Sequence, residues 1–190
     1  MSSLDEIIGL LKDANCIKLG EFTLSSGAKS RIYIDLRSIL SHPTEFKSLI
    51  KICSNFIKRI EFDILAGVES SGIPFATALA IENSLPMIYV RKEVKQHGLR
   101  KQIEGDFKPG LKALLIDDVA TTGSSLLKAV EALRSEGIQV YDAFVVVDRG
   151  EGAKEKLAGV GVRLNSLITL GQILSRLKLT ESRLGGVWKC

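Results

Sequence analysis

Short runs in which almost every residue is apolar punctuate the middle of the chain. Asp63–Val68, Met87–Val90, Lys112–Ile116 and Ala143–Val147 are of this kind. Runs this short, apolar on both faces, predict strands covered on both sides, as in a parallel sheet between helices. Ile73–Glu82, Ser125–Ser135 and Gly152–Leu157 lie between them with helical texture. Alternation of the two kinds predicts a doubly wound α/β core, a mostly parallel sheet with helices on both faces. A strand near Val162–Leu167 and a helix near Leu170–Leu179 complete the pattern.

The first sixty residues read differently. Ser3-Leu4-Asp5-Glu6 is a capping-box pattern ahead of Ile7, Ile8, Leu10 and Leu11, and predicts a helix to about Asn15. Ile17–Leu24 and Arg31–Leu36 predict two strands around the turn-rich Ser25-Ser26-Gly27. In the second strand Ile32, Ile34 and Leu36 share one face, and Arg31, Tyr33 and Asp35 the other. Pro43 and Thr44 open a helix with Phe46, Leu49, Ile50, Cys53, Phe56 and Ile57 at helical spacing. The expected organisation is a small N-terminal hood over residues 1–40 and an α/β core over residues 41–190, together one structural unit.

One interval breaks the alternation. Arg91–Lys108 separates two core strands and holds six Lys or Arg, with glycines at Gly98 and Gly105. As a loop it is long for a compact domain, and long loops of this kind act as lids or binding segments. A solvated charged helix is the other reading of the same residues.

Composition narrows the function classes. The 190 residues are 45% hydrophobic and 25% charged, ordinary for a globular domain. The net charge of +4 suits an anionic small ligand and gives weak support to nucleic acid, and aromatics at 6% do not make a base-stacking platform. The longest strongly apolar stretch, Ile73 to Ile81, is far short of a membrane span, and no signal peptide is expected. Cys16, Cys53 and Cys190 are too widely spaced for a metal knuckle or disulfide framework and suit a reducing cytoplasm. His42 and His97 are the only histidines, so a His-based metal site is not expected.

The chemistry concentrates in Ala113–Leu127. A buried apolar run ends at Asp117 and Asp118, and a hydroxyl-rich loop leads into a helix. Ligands of open α/β sheets bind at the C-terminal edge of the strands. Ala120, Thr121, Thr122, Gly123, Ser124 and Ser125 offer backbone N–H groups, four hydroxyls and a helix N-terminus, a cradle for phosphate. No Lys follows the glycine, so this is not a Walker A loop, and the GxGxxG of dinucleotide folds is absent. Two carboxylates repel a phosphate but suit sugar hydroxyls or the waters of a Mg²⁺ ion. The combination points to a ribose phosphate.

Asp117-Asp118-Val119-Ala120-Thr121-Thr122-Gly123-Ser124-Ser125 resembles the signature of type I phosphoribosyltransferases, which bind 5-phosphoribosyl-1-pyrophosphate (PRPP). Three further stretches resemble the orotate phosphoribosyltransferases within that family. They are Glu21–Gly27 with Tyr33–Arg37, Arg91–Gly98, and Val147-Asp148-Arg149. The resemblance spans roughly residues 4 to 175 and implies transfer of ribose 5-phosphate from PRPP to orotate in pyrimidine synthesis. It implies that Thr121–Ser125 cradle the 5′-phosphate and that Asp117 and Asp118 face the ribose hydroxyls. It also implies that Arg91, Lys92, Lys95 and His97, on a mobile loop, bind pyrophosphate, with Lys95, His97, Asp117 and Asp118 acting in catalysis. Arg149 would pair with the orotate carboxylate, with Thr121 near the base. Mg²⁺ would be held mainly by substrate and water rather than by a protein cage, and the loop would complete the neighbouring site of a homodimer. Where many bacterial members carry Lys, this chain has Ser25, and Ser70-Ser71 replaces an aromatic-Lys pair before Gly72-Ile73-Pro74. Two other readings stay open: a type I phosphoribosyltransferase for a purine or uracil, and a PRPP-sensing regulator, for whose DNA-binding domain the length leaves little room. A fused decarboxylase is not expected at this length.

Overall fold

The apolar runs form the strands of one sheet. The structure, a computed structural model, describes residues 4–23, 29–93 and 102–177. Its described residues fall into two compact units, one drawn from Met1–Leu49 and Ile168–Cys190, the other Ile50–Leu167.

The larger unit holds a six-stranded sheet. Its strands are β3 (Ile64–Val68), β4 (Met87–Val90), β5 (Ile103–Glu104), β6 (Lys112–Ala120), β7 (Gln139–Asp148) and β8 (Arg163–Thr169), in the order β5-β4-β3-β6-β7-β8. β4, β3, β6 and β7 are parallel and β5 pairs antiparallel with β4, so the sheet is mixed and mostly parallel. All five residues of β3 are buried, as a strand covered on both sides requires. Side chains alternate along a strand. Ala66 and Val68 join the apolar cluster that includes Leu126, Ala129, Val130 and Leu133 of α4 (Ser124–Ser135). Between them a Cβ on Gly67 would meet Ala76 of α3 (Gly72–Asn83) at 3.0 Å. α3 and α4 therefore cover opposite faces. α5 (Ala153–Ala158) follows β7 and buries Ala153 and Leu157.

Three elements of this unit differ from expectation. β6 does not stop at Ile116 but runs through both aspartates to Ala120, because β7 pairs with it as far as Ala120 opposite Asp148. β7 starts at Gln139, four residues before the apolar run, with its first residues alternating exposed and buried. The charged interval is neither wholly loop nor helix: Ile103–Glu104 forms β5, and Gln102 O accepts the Arg91 N–H at 2.8 Å. The remainder of that interval, residues 94–101, lies outside the described residues.

The smaller unit contains α1 (Leu4–Asp13), the hairpin of β1 (Ile17–Thr23) and β2 (Lys29–Ile34), and α6 (Leu170–Arg176). Pro43 takes the first position of α2 (Pro43–Ile57), where its missing N–H costs nothing. Leu36, expected in β2, instead starts a 3-10 helix over Leu36–Ser41. Asp35 ends the strand, held by Lys18 at 3.1 Å and Arg37 at 2.7 Å. Burial pushes the Asp35 carboxyl up, but the hydrogen bonds from Arg37 and Lys18 outweigh it and hold the group below the usual range. α6 begins with a capping box: Thr169 Oγ1 accepts the Gln172 N–H, and Gln172 Oε1 accepts the Thr169 N–H. Cys16 and Cys53 are fully buried, and burial pushes their thiols up to about 11 and about 12, as for inert apolar fillers. Among the described residues no helix is long and apolar enough to cross a membrane.

Candidate active site

Three strands of the sheet, β6, β4 and β7, deliver their chemistry at their C-terminal ends. β6 carries Asp117 and Asp118, and the loop from Thr121 to Gly123 joins it to α4. Gly123 is the N-cap, with φ +74°, and a Cβ there would lie 2.9 Å from Ala153 Cα. Both the backbone conformation and the clearance demand glycine. No side chain caps α4, so its first-turn N–H groups are left to a ligand or solvent. Thr122 Oγ1 and Ser124 Oγ lie 3.2 Å apart, and Asp117, Thr121, Thr122, Ser124 and Ser125 line a concavity of about 70 Å³. Val119 and Ala120 line the same concavity, Ala120 through a buried strand position. The expected phosphate cradle is therefore one continuous surface.

Asp117 and Asp118 turn their carboxylates onto the following backbone. Asp117 Oδ1 accepts the Asp118 N–H at 2.9 Å, and Asp118 Oδ1 accepts the Val119 N–H at 2.7 Å. Burial, reinforced by the neighbouring Asp118 charge, drives the Asp117 carboxyl well above its ordinary range; the Lys92 charge opposes the rise. Gly72 makes the approach possible, since a Cβ there would collide with Ile116 O and come within 3.2 Å of Asp117 Oδ1. Ser71 is the N-cap of α3 and makes no side-chain capping bond, so the Ser70-Ser71 stretch before Gly72 adds no cation.

Arg91 and Lys92 follow the C-terminal end of β4. The Lys92 N–H donates to Glu69 Oε2 at 2.7 Å, and Arg91 Nη1 lies 3.5 Å from Glu104 Oε1 of β5. Arg91, Lys92, Ser125 and Lys128 line a cavity of about 290 Å³, a cation-rich space beside the hydroxyl loop. Lys95 and His97 lie outside the described residues, as does Ser25.

β7 supplies Arg149. Its N–H donates to Ala120 O at 2.9 Å, which fastens the base of the β7 loop to the base of the cradle. Its side chain is only 5% exposed, Nε donates to Glu151 Oε1 at 2.7 Å, and Nη2 is buried with no hydrogen-bond partner among the described residues. Two residues in contact with the expected set were not singled out from the sequence. Glu151 sits on Arg149, and Lys156 Nζ donates to Ser124 Oγ at 2.9 Å from 32 residues away. An i+2 carboxylate beside the arginine was the only local hint of the first; the second is a tertiary contact.

The arrangement can hold an anion at a helix N-terminus, hydroxyls at paired carboxylates and a planar anion at a buried guanidinium. Residues 35–169 match the family described as "Phosphoribosyl transferase domain", and the chain belongs to that family. Its relatives narrow the membership. The orotate phosphoribosyltransferase of Pyrococcus abyssi is 40% identical over 171 residues, covering 89% of this chain and 94% of that one. That of Methanocaldococcus jannaschii is 42% identical over 175 residues, covering 92% and 99%. The crystal structure of orotate phosphoribosyltransferase from Aeropyrum pernix superposes with a TM-score of 0.85 at 41% identity, covering 92% of this chain and 99% of that one.

Proposed function

We infer that this chain is an orotate phosphoribosyltransferase, which transfers ribose 5-phosphate from PRPP to orotate and releases pyrophosphate in pyrimidine synthesis. Relatives of that activity at about 40% identity over nearly the whole chain support it. Arg149 carries the preference for orotate over a purine or uracil. Its buried Nη2 has no hydrogen-bond partner among the described residues, and a base bearing a carboxylate supplies one.

In the reaction the bond from ribose C1 to pyrophosphate breaks, the bond to orotate N1 forms, and the N1 proton passes to the departing pyrophosphate or to solvent. Charge builds on the leaving group while the ribose carbon becomes cation-like. The first-turn amides of α4 and the hydroxyls of Thr121, Thr122, Ser124 and Ser125 bind the 5′-phosphate and fix the sugar. Asp117 and Asp118 hold the ribose hydroxyls and place carboxylate charge near the developing cation. Arg91 and Lys92 provide cationic charge toward pyrophosphate. Lys95 and His97 are assigned to the same leaving group on sequence resemblance alone, on a loop that excludes water and completes the partner site of a homodimer.

Mg²⁺ fits this donor set as a substrate-borne ion. The paired aspartates are hard oxygen donors that would hold waters of its shell. When bound it neutralises charge on the pyrophosphate.

The test is loss of orotate absorbance with purified protein, PRPP and Mg²⁺, beside pyrophosphate release with uracil, adenine and hypoxanthine. Turnover confined to orotate is expected. PRPP binding without turnover of any base would instead indicate a regulator. Lys95→Ala should lower turnover about tenfold or more with the fold intact; unchanged turnover would remove Lys95 from the mechanism.

A further inference from the structure

The end of β7 contains a second charged residue that the phosphoribosyl chemistry does not itself require. Asp148 Oδ1 accepts the Gly150 N–H at 2.9 Å, and Gly150 and Gly152 adopt φ of +72° and +95°. This glycine-flanked turn places Glu151 over Arg149. The pair is well shielded, with side chains 5% and 24% exposed, and the Nε–Oε1 distance is 2.7 Å. A guanidinium cannot shed its charge at accessible pH, so burying one demands a counter-charge and hydrogen bonds. Glu151 provides both.

The way it does so matters more than the neutralisation. Arginine has five N–H donors in a rigid planar fork. By taking Nε, Glu151 fixes the plane of the fork while leaving the buried Nη2 without a partner among the described residues. A free arginine side chain would satisfy all of its donors by turning toward solvent; this one is held where it does not.

We propose that Glu151 is a positioning and specificity residue. It clamps Nε of Arg149 so that the terminal edge of the guanidinium faces the carboxylate of the incoming base. This rests on the reading that Arg149 receives that carboxylate. Discrimination follows from the same geometry. A base with a carboxylate satisfies Nη2, whereas a neutral pyrimidine leaves a buried donor unpaired and should bind roughly tenfold to a hundredfold more weakly. The pair is electrically neutral, so the pocket attracts the carboxylate by hydrogen-bond geometry rather than by a bare positive charge.

The test is steady-state kinetics of Glu151→Ala, Glu151→Gln and Glu151→Asp in the full chain, with Arg149→Ala alongside. Glu151→Ala should raise the KM for orotate about tenfold, with the KM for PRPP within about twofold of wild type. Glu151→Gln keeps an oxygen that accepts from Nε and should return the orotate KM to within about threefold. Glu151→Asp, one methylene short of Nε, should behave like the alanine variant while keeping the charge, and serves in its place if that variant does not fold. An orotate KM that is unchanged in both Glu151→Ala and Glu151→Asp would overturn the proposal. A lower KM would also do so, showing that Glu151 competes with substrate for Arg149. A fall in kcat with both KM values unmoved, or a defect that glutamine does not rescue, would assign Glu151 to folding and likewise overturn it. Should Arg149→Ala leave orotate KM unaltered, the carboxylate reading itself fails. A damaged Arg149→Ala beside normal Glu151 variants removes only the role of Glu151.

Discussion

The ends of β6 and β7 are neighbours in the sheet, with Ala120 opposite Asp148, yet they solve opposite electrostatic problems. β6 carries two adjacent carboxylates near its C-terminal end, with no cation hydrogen-bonded to Asp117 among the described residues, and burial raises the affinity of Asp117 for a proton. β7 ends in a buried cation that cannot lose its proton, and the protein meets that cost with Glu151. A carboxylate tolerates burial by titrating, whereas a guanidinium must be paired. One strand end is therefore tunable by pH and by bound cations, and the other is set by geometry.

The sharpest way to break the comparison is Arg149→Ala. Removing one partner of a buried charged pair while a second anion is due to bind should lower kcat/KM for orotate about 100-fold or more. A loss below about threefold in the orotate assay would mean that the β7 end does not read the carboxylate.

Next comes Gly123→Ala. It forces a side chain into a left-handed backbone and to within 2.9 Å of Ala153 Cα, so the cradle and α5 must separate. PRPP affinity should drop by about tenfold or more while orotate affinity changes less. Isothermal titration with each substrate separates the two, and equal losses would point to general unfolding.

The β6 end is sharpened by Asp117→Asn. Because the folded-state pKa is raised, the stability associated with Asp117 is fully present below its unfolded pKa and is lost as pH rises through the folded value. The asparagine variant should be the more stable protein at neutral pH. Its Tm should lie above wild type by roughly 2–4 °C for each kcal/mol recovered, with the gap closing toward acid. Turnover should fall in the same variant. Calorimetry at acid and neutral pH decides the point, and a Tm gap independent of pH would contradict the raised pKa.

The smallest effect concerns Lys156. Its contact with Ser124 places a positive charge against the cradle, but the group is exposed. Lys156→Ala should raise the KM for PRPP only about two- to threefold at low salt, with the effect vanishing at high salt. A salt-independent change would mean that the lysine acts through packing.

Much of this contrast was legible in the residues themselves. The hydroxyl loop and the aspartate pair stand consecutively, so a single stretch of sequence displays the whole β6 end, and Val147-Asp148-Arg149 marks the other. What escaped were features created by pairing. Asp117 and Asp118 are strand residues because β7 continues alongside them; their own side chains favour turns. β5 is two residues long and exists only because Val90 and Tyr89 offer it an edge. Leu36 has the period of a strand, yet Asp35 is drawn away by Lys18 and Arg37 and the chain turns into a 3-10 helix.

By itself the sequence determined the class of fold, the anion-binding loop and the family. Local hydrophobic period, hydroxyl spacing and turn chemistry act over neighbouring residues and survive as a linear pattern. Only the tertiary structure decided the protonation tendency of Asp117, the orientation of the Arg149 guanidinium and the reach of Lys156 to Ser124. Each of these depends on burial or on a partner brought close by folding. Desolvation and charge pairing are properties of a residue's surroundings in space, which its position along the chain does not record.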